Sequence, residues 1–190
     1  MSQHSWNQHV ETISGLLRAV VCSDRDGRPL DVQVAFEQWQ AATLLLRERR
    51  GTIFLVGNGA SASMASHMSA DLAKNAHLHT EVFSDVSLIT AISNDLGYDQ
   101  VFSEPLARRC NPCDMLVAIS SSGRSPNVLA AVKVANEHGL TVVSLTAMAS
   151  TNPLRRAGSI NLYVPADTYS AAESCHAAIL HHWMDMVEIG

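Results

Sequence analysis

Three groups of residues in this chain have the types and the spacing to do chemistry. The first is Ser120-Ser121-Ser122-Gly123-Arg124-Ser125, set between the apolar run Leu116 to Ile119 and Pro126. Such a run reads as a buried parallel strand, and proline is at home in a helix's first turn, whose N–H groups have no internal partner. Ser125 is then placed as the helix N-cap, and the other hydroxyls lie where a strand ends and a helix begins. Free backbone N–H groups and the helix dipole favour anions there, and a phosphate is the natural guest. The plainer reading is that loop serines only cap the helix. That accounts for Ser125 but does not require Ser120, Ser121 and Ser122. No Gly-Lys-Ser or Gly-Lys-Thr follows, so the turn is not a P-loop for ATP.

The second group is Gly57-Asn58-Gly59-Ala60-Ser61, which closes the apolar run Thr52 to Val56. Its glycines permit a tight turn and close backbone approach, and Ser61 can cap a helix or touch a ligand. A full Gly-x-Gly-x-x-Gly is missing, so no dinucleotide fingerprint is supported. The third group is carried by two helices. His67 and Asp71 are four residues apart on the helix expected over 63–74, hence on one face and able to share a proton path or a metal. The last helix, expected over 170–189, carries Glu173, His176, His181 and His182. Glu173 and His181 lie roughly 80° apart on the helical wheel and two turns apart along the axis, so both could flank one end of a pocket. His176 and His182 are expected to be satisfied or solvated neighbours.

The elements that must position these groups follow from periodicity. Two amphipathic helices, 6–21 and 32–48, are joined by a link at 23–29 rich in turn residues, which together read as an N-terminal helical hairpin. Apolar runs at Thr52–Val56, Val86–Ile92, Leu116–Ile119, Leu140–Leu145 and Ile160–Val164 alternate with helical patterns. The expected fold is therefore α/β, a doubly wound five-stranded parallel sheet flanked by helices, whose ligands sit at the strands' carboxyl ends.

Composition sets limits. At 190 residues with 47% hydrophobic, the chain suits one domain, with 1–50 as leading helices and 51–190 as the α/β core and final helix. A net charge of −5 without a basic cluster argues against nucleic acid, so any phosphate site must be local. No apolar run is long enough to span a bilayer, and the amino end, with Trp6, Asn7 and His9, does not read as a signal peptide. The expected location is cytoplasmic, with no membrane partner. Cys22, Cys110, Cys113 and Cys175 read as reduced thiols, since the Cys110–Cys113 spacing has no second pair to complete a zinc site.

With these residues in view the chain resembles the SIS (sugar isomerase) domain family, and within it the phosphoheptose isomerases. The likeness is carried by the two turns, by the His67–Asp71 helix, by Ser93-Asn94-Asp95-Leu96-Gly97-Tyr98, by Ser125-Pro126-Asn127, and by Glu173 with His181. It spans most of the chain after Gly51. It implies conversion of a ketose phosphate to an aldose phosphate, sedoheptulose 7-phosphate to a manno-heptose 7-phosphate, through an enediol. Asp71 would be the base and His181 its proton-relaying partner. Ser61, Ser120, Ser121, Ser122 and Ser125 would hold the phosphate, with Asn58, Gly59, Asn94 and Asp95 on the sugar. A homotetramer with pockets lined by more than one subunit is also implied.

Two residues depart from the family pattern: Asp71 stands where the family has glutamate, and Glu173 where the heptose enzymes have glutamine. The extra carboxylate makes His67, Asp71, Glu173 and His181 a set suited to a divalent metal, zinc first. The departures also admit a longer substrate, such as an octulose phosphate. A non-catalytic SIS domain that binds a sugar phosphate or a protein partner is the reading from another class. His181 argues against it and Asp71 for it.

Overall fold

Strands that are apolar on both faces need helices on both faces, and the computed structural model, which describes residues 5–188, supplies them. The central strands are β3 (Thr52–Gly57), β5 (Met115–Ser120), β6 (Thr141–Thr146) and β7 (Ile160–Tyr163), and every residue of β5 is buried. Successive side chains serve opposite layers. Ile53 and Leu55 join a core built with α2 (Val32–Glu48), α3 (Ala60–Asn75) and α7 (Tyr169–Glu188). Phe54 and Val56 join the other core, with α5 (Ser103–Arg109) and α6 (Pro126–Glu137).

The sheet corrects the expected topology in three places. It has seven strands and is mixed, in the order β2-β1-β7-β6-β5-β3-β4, not five parallel ones. Residues 23–29 are not a plain link between two helices. β1 (Val21–Asp24) and β2 (Pro29–Leu30) form an antiparallel ribbon there, and β1 pairs antiparallel with β7. The helical hairpin is therefore absent: the ribbon separates α1 (Trp6–Arg18) from α2, and each of these helices packs on α7. Val21, expected inside the first helix, begins β1.

The third correction concerns Val86–Ile92, which is helical. It lies in α4 (Val86–Asp95), capped by Asp85, whose Oδ1 accepts from the Leu88 N–H at 2.9 Å. The fifth parallel strand is instead β4 (His79–Val82), paired with β3. α7 ends its described span at Glu188, and Ile189, its expected last residue, lies outside the described residues.

Connectivity places the site. From β3 the chain moves outward to β4, then returns to the other side of β3 to form β5 and continues away through β6 and β7. The order therefore reverses between β3 and β5, where Gly57 pairs with Ile119, and a crevice outside the carboxyl ends of those strands is the place a ligand enters such a sheet. α7 is anchored across the helical layer by Trp183, whose ring stacks on Trp39 at 4.2 Å and whose Nε1 donates to Thr43 Oγ1 at 3.0 Å. Burying the Trp183 indole, whose N–H is satisfied, stabilises by about 2–3 kcal/mol, while the partnerless N–H of buried Trp39 offsets part of its own gain, and the stacked pair holds the helix that carries His181 in register.

Candidate active site at the reversal of strand order

The two turns lie side by side at that reversal. In the first, β3 ends in Gly57-Asn58-Gly59, and a Cβ on Gly57 would lie 2.6 Å from Ser61 Cβ, so the turn closes only on glycine. Gly59 is the N-cap of α3 at φ 57° and offers no side chain to the helix's free N–H groups. Ser61 is buried in the first turn of that helix.

In the second turn, Ser125 is the N-cap of α6 and Pro126 its first residue, as the sequence implied. Its hydroxyl, however, makes no capping bond and lies 3.2 Å from Ser120 Oγ. Ser120 and Ser121 are buried, and Ser122 is half-buried with its Oγ accepting from the Arg124 N–H at 3.3 Å. Gly123 turns at φ 60°, and a Cβ there would meet Asn152 Oδ1 at 1.9 Å. The hydroxyls are thus gathered at the start of α6, where Pro126 has no N–H and the Val128 N–H is taken by Asn127 Oδ1, so the hydroxyls and the remaining N–H groups of the turn are the donors open to an anion.

The titratable cluster forms where α3 meets α7. His67 Nε2 lies 3.4 Å from Asp71 Oδ2 and 3.3 Å from His181 Nε2. His181 Nδ1 is 2.8 Å from the Ala177 carbonyl oxygen, so Nδ1 carries the proton that is donated to it, and the Nε2 lone pair faces the other two residues. The three ligand atoms lie within 4.8 Å of one another. Ligands bonded at about 2.0–2.1 Å to a tetrahedral zinc stand about 3.4 Å apart, so both measured edges fit such an ion. Glu173, half-buried two turns earlier on α7, does not join this group, so the structure brings together three of the four expected ligands.

The remaining expected residues divide. Asn58 and Gly59 line a cavity of about 220 Å³ together with Ser84, Tyr98 and Phe102. Asn94 and Asp95 are exposed at the end of α4, where Asn94 Nδ2 donates to Asp95 Oδ1 at 2.8 Å. Asp95 borders the groove between α4 and α5 instead of that cavity. His182 meets the Phe36 ring edge-on at 4.7 Å. His176 is neither paired nor solvated, because it is fully buried and neither ring nitrogen has a hydrogen-bond partner. Burial holds it neutral and pushes its pKa down to about 4, although the Thr146 backbone facing the ring works in the opposite direction.

A family model described as the SIS domain matches residues 39–147. A phosphoheptose isomerase of Syntrophotalea carbinolica is 32% identical over 191 aligned positions, covering 94% of this chain and 92% of the relative. The chain belongs to the SIS domain family, among the phosphoheptose isomerases. Solved phosphoheptose isomerases share its fold throughout. The Francisella tularensis structure has a TM-score of 0.85 at 27% identity with all of both chains covered. The Neisseria gonorrhoeae structure has 0.80 at 28%, covering 95% of this chain and 96% of that one. Among the described residues of this SIS domain, no helix is long and apolar enough to cross a membrane.

Sequence reasoning missed two polar residues at the site. Asn127 is buried in the first turn of α6 and exchanges hydrogen bonds with Asn58, and Tyr98 reaches the same amide. Both stand inside the motifs that marked the family, but their roles come from contacts between turns far apart in sequence.

Proposed function

We propose that this chain is a ketose–aldose phosphate isomerase that takes sedoheptulose 7-phosphate to a manno-heptose 7-phosphate through an enediol. The observation that carries the reading is the meeting of His181 with the His67–Asp71 pair at 3.3 and 3.4 Å, where α7 crosses the helix that starts at the glycine turn. The serine turn receives the phosphate through Ser120, Ser121, Ser122 and Ser125, and Asn58 and Gly59 meet the sugar.

Asp71 removes a proton from C1, and the electron pair moves to form the C1–C2 double bond as the C2 oxygen gains a proton. The resulting enediol then loses the proton of its C1 oxygen while C2 is reprotonated, which leaves the carbonyl at C1. His181 suits the oxygen-to-oxygen transfers because its Nε2 is the free acceptor while Nδ1 is held on Ala177. The aspartate reaches one methylene less far than the family's glutamate.

The lone pairs of His67, Asp71 and His181 fit a divalent ion, zinc first, which when bound would polarise the sugar carbonyl and spread the charge of the enediolate. Asp71 keeps a second carboxylate oxygen for the carbon-bound proton. An ion and a proton on His181 Nε2 exclude one another, so removal of metal distinguishes the two uses. We place the enzyme in the cytoplasm, where its free cysteines are at home, and as a homotetramer in which the exposed apolar side of α1, with Trp6 and Val10, meets another subunit.

The test is incubation with seven- and eight-carbon ketose phosphates, with and without a chelator. Aldose 7-phosphate should appear from sedoheptulose 7-phosphate. Loss of turnover after chelation assigns the triad to a metal, and full turnover assigns it to acid–base work alone. Absence of aldose from every substrate refutes the isomerase reading.

A further inference from the structure

Tyr98 ends the segment 93–98, yet its hydroxyl leaves that segment and donates to Asn58 Oδ1 in the glycine turn at 3.1 Å. The same oxygen accepts from Asn127 Nδ2 at 2.9 Å, while Asn58 Nδ2 donates to Asn127 Oδ1 at 2.9 Å. The orientation of this amide pair follows from the backbone. The Val128 N–H at the start of α6 lies 2.9 Å from Asn127 Oδ1, and only an oxygen can accept there. With Asn127 fixed in this sense, its Nδ2 must face the oxygen of Asn58 and its oxygen must face the nitrogen.

An amide oxygen has two lone pairs and an amide nitrogen two hydrogens. Both lone pairs of Asn58 are engaged, by Tyr98 and by Asn127, and one of its two hydrogens is given to Asn127. One N–H is left, on a residue that lines the cavity of about 220 Å³ between the end of β3, Phe83 and Ser84 after β4, and Tyr98 to Phe102. Without the Tyr98 hydroxyl a lone pair opens on Asn58, which can then accept from water or from a ligand hydroxyl as readily as it donates.

We propose that Tyr98 is a positioning residue that restricts Asn58 to a donor, so that Asn58 recognises a sugar oxygen through that oxygen's lone pair. The proposal rests on the sugar-phosphate reading given above and adds to it which groups decide the polarity of the sugar contact. Tyr98 is 56% exposed, so its bond to Asn58 is a neutral one in partial contact with water. With the hydroxyl gone, water can donate to Asn58 and compete with the sugar there, so sugar affinity should fall about three- to tenfold, at most the contribution of one such bond.

Steady-state kinetics with sedoheptulose 7-phosphate, and with inorganic phosphate as competitive inhibitor, test this. Tyr98→Phe should raise KM for the sugar about three- to tenfold and leave the inhibition constant of inorganic phosphate unchanged. Introduced into Asn58→Ala, the same substitution should do nothing further, because its effect passes through Asn58. Equal losses in both backgrounds, or an unchanged KM in the single variant, overturn the proposal. Should Asn58→Ala fail to fold, the split between sugar and inorganic phosphate in Tyr98→Phe decides alone. Calorimetric titration with sedoheptulose 7-phosphate separates this from the isomerase reading. A wild type that binds the sugar without converting it ends that reading, and the affinities of wild type and Tyr98→Phe then decide the proposal. A wild type that binds no sugar phosphate overturns both.

Discussion

The serine turn and the histidine cluster, which we propose serve one site, are built in opposite ways. The turn is made by neighbours in sequence, with Ser120 and Ser121 buried and the backbone bent at Gly123 against Asn152. The cluster joins residues more than a hundred positions apart where α3 meets α7, with His67 exposed and Asp71 and His181 half-buried. In the proposed reading, anion binding depends on hydroxyls and backbone N–H groups of one short segment, whereas proton transfer depends on three side chains and the packing of α3 on α7. The two halves should fail separately.

His181→Ala should separate the two halves most completely. Turnover should fall about a thousandfold, the contribution of a positioned proton-transfer group, while inorganic phosphate binds as in the wild type. A parallel loss of phosphate binding would show that the two halves are one unit. Ser121→Ala combined with Ser122→Ala is the converse. Affinity for every phosphorylated ligand should fall about a hundredfold, as expected for losing hydrogen bonds to a charged group. Calorimetry with inorganic phosphate and with a sugar phosphate would measure it, and unchanged affinity would remove phosphate from the turn.

His176 sharpens the contrast by its position. It rides on α7 with His181, yet it faces Thr146, which pairs with Ser120 in the sheet. Its folded pKa of about 4 lies below the unfolded value near 6.5, so the unfolded chain binds the extra proton between those values. The stability gained by keeping His176 neutral is present above pH 6.5 and is lost as the pH falls towards 4. Lowering the pH from 7 to 5 should cost about 2 kcal/mol through this residue alone. Denaturant titrations at the two pH values should show that difference in the wild type and not in His176→Met.

What the sequence made legible follows from what each element buries. Thr52–Val56, Leu116–Ile119, Leu140–Leu145 and Ile160–Val164 announce themselves because they are apolar on both faces. Val86–Ile92 misleads for the same reason, since a short apolar run has no period that separates strand from helix, and the Asp85 cap decides it. β4 is hidden because it is an edge strand of four residues without a buried one, and the β1–β2 ribbon because turn residues dominate so short a hairpin. The pairing of His67 with Asp71 can be read from a four-residue spacing on one helix. The approach of His181, the absence of Glu173 from the cluster and the bond from Tyr98 to Asn58 depend on tertiary packing, which no local pattern encodes.

The contact between Gly123 and Asn152 bears on how the chain is made. Asn152 Nδ2 donates to the Ala147 and Ala149 carbonyl oxygens, and the Leu154 N–H bonds back to the Gly123 carbonyl oxygen, so the connection after β6 braces the serine turn from outside. A nascent chain ending before residue 152 has all the serines and none of that brace, and it also lacks the helix bearing His181. The brace on the serine turn and the histidine that completes the cluster both come from chain that follows β6, so a chain cut before residue 152 should hold neither half of the proposed site in its folded geometry.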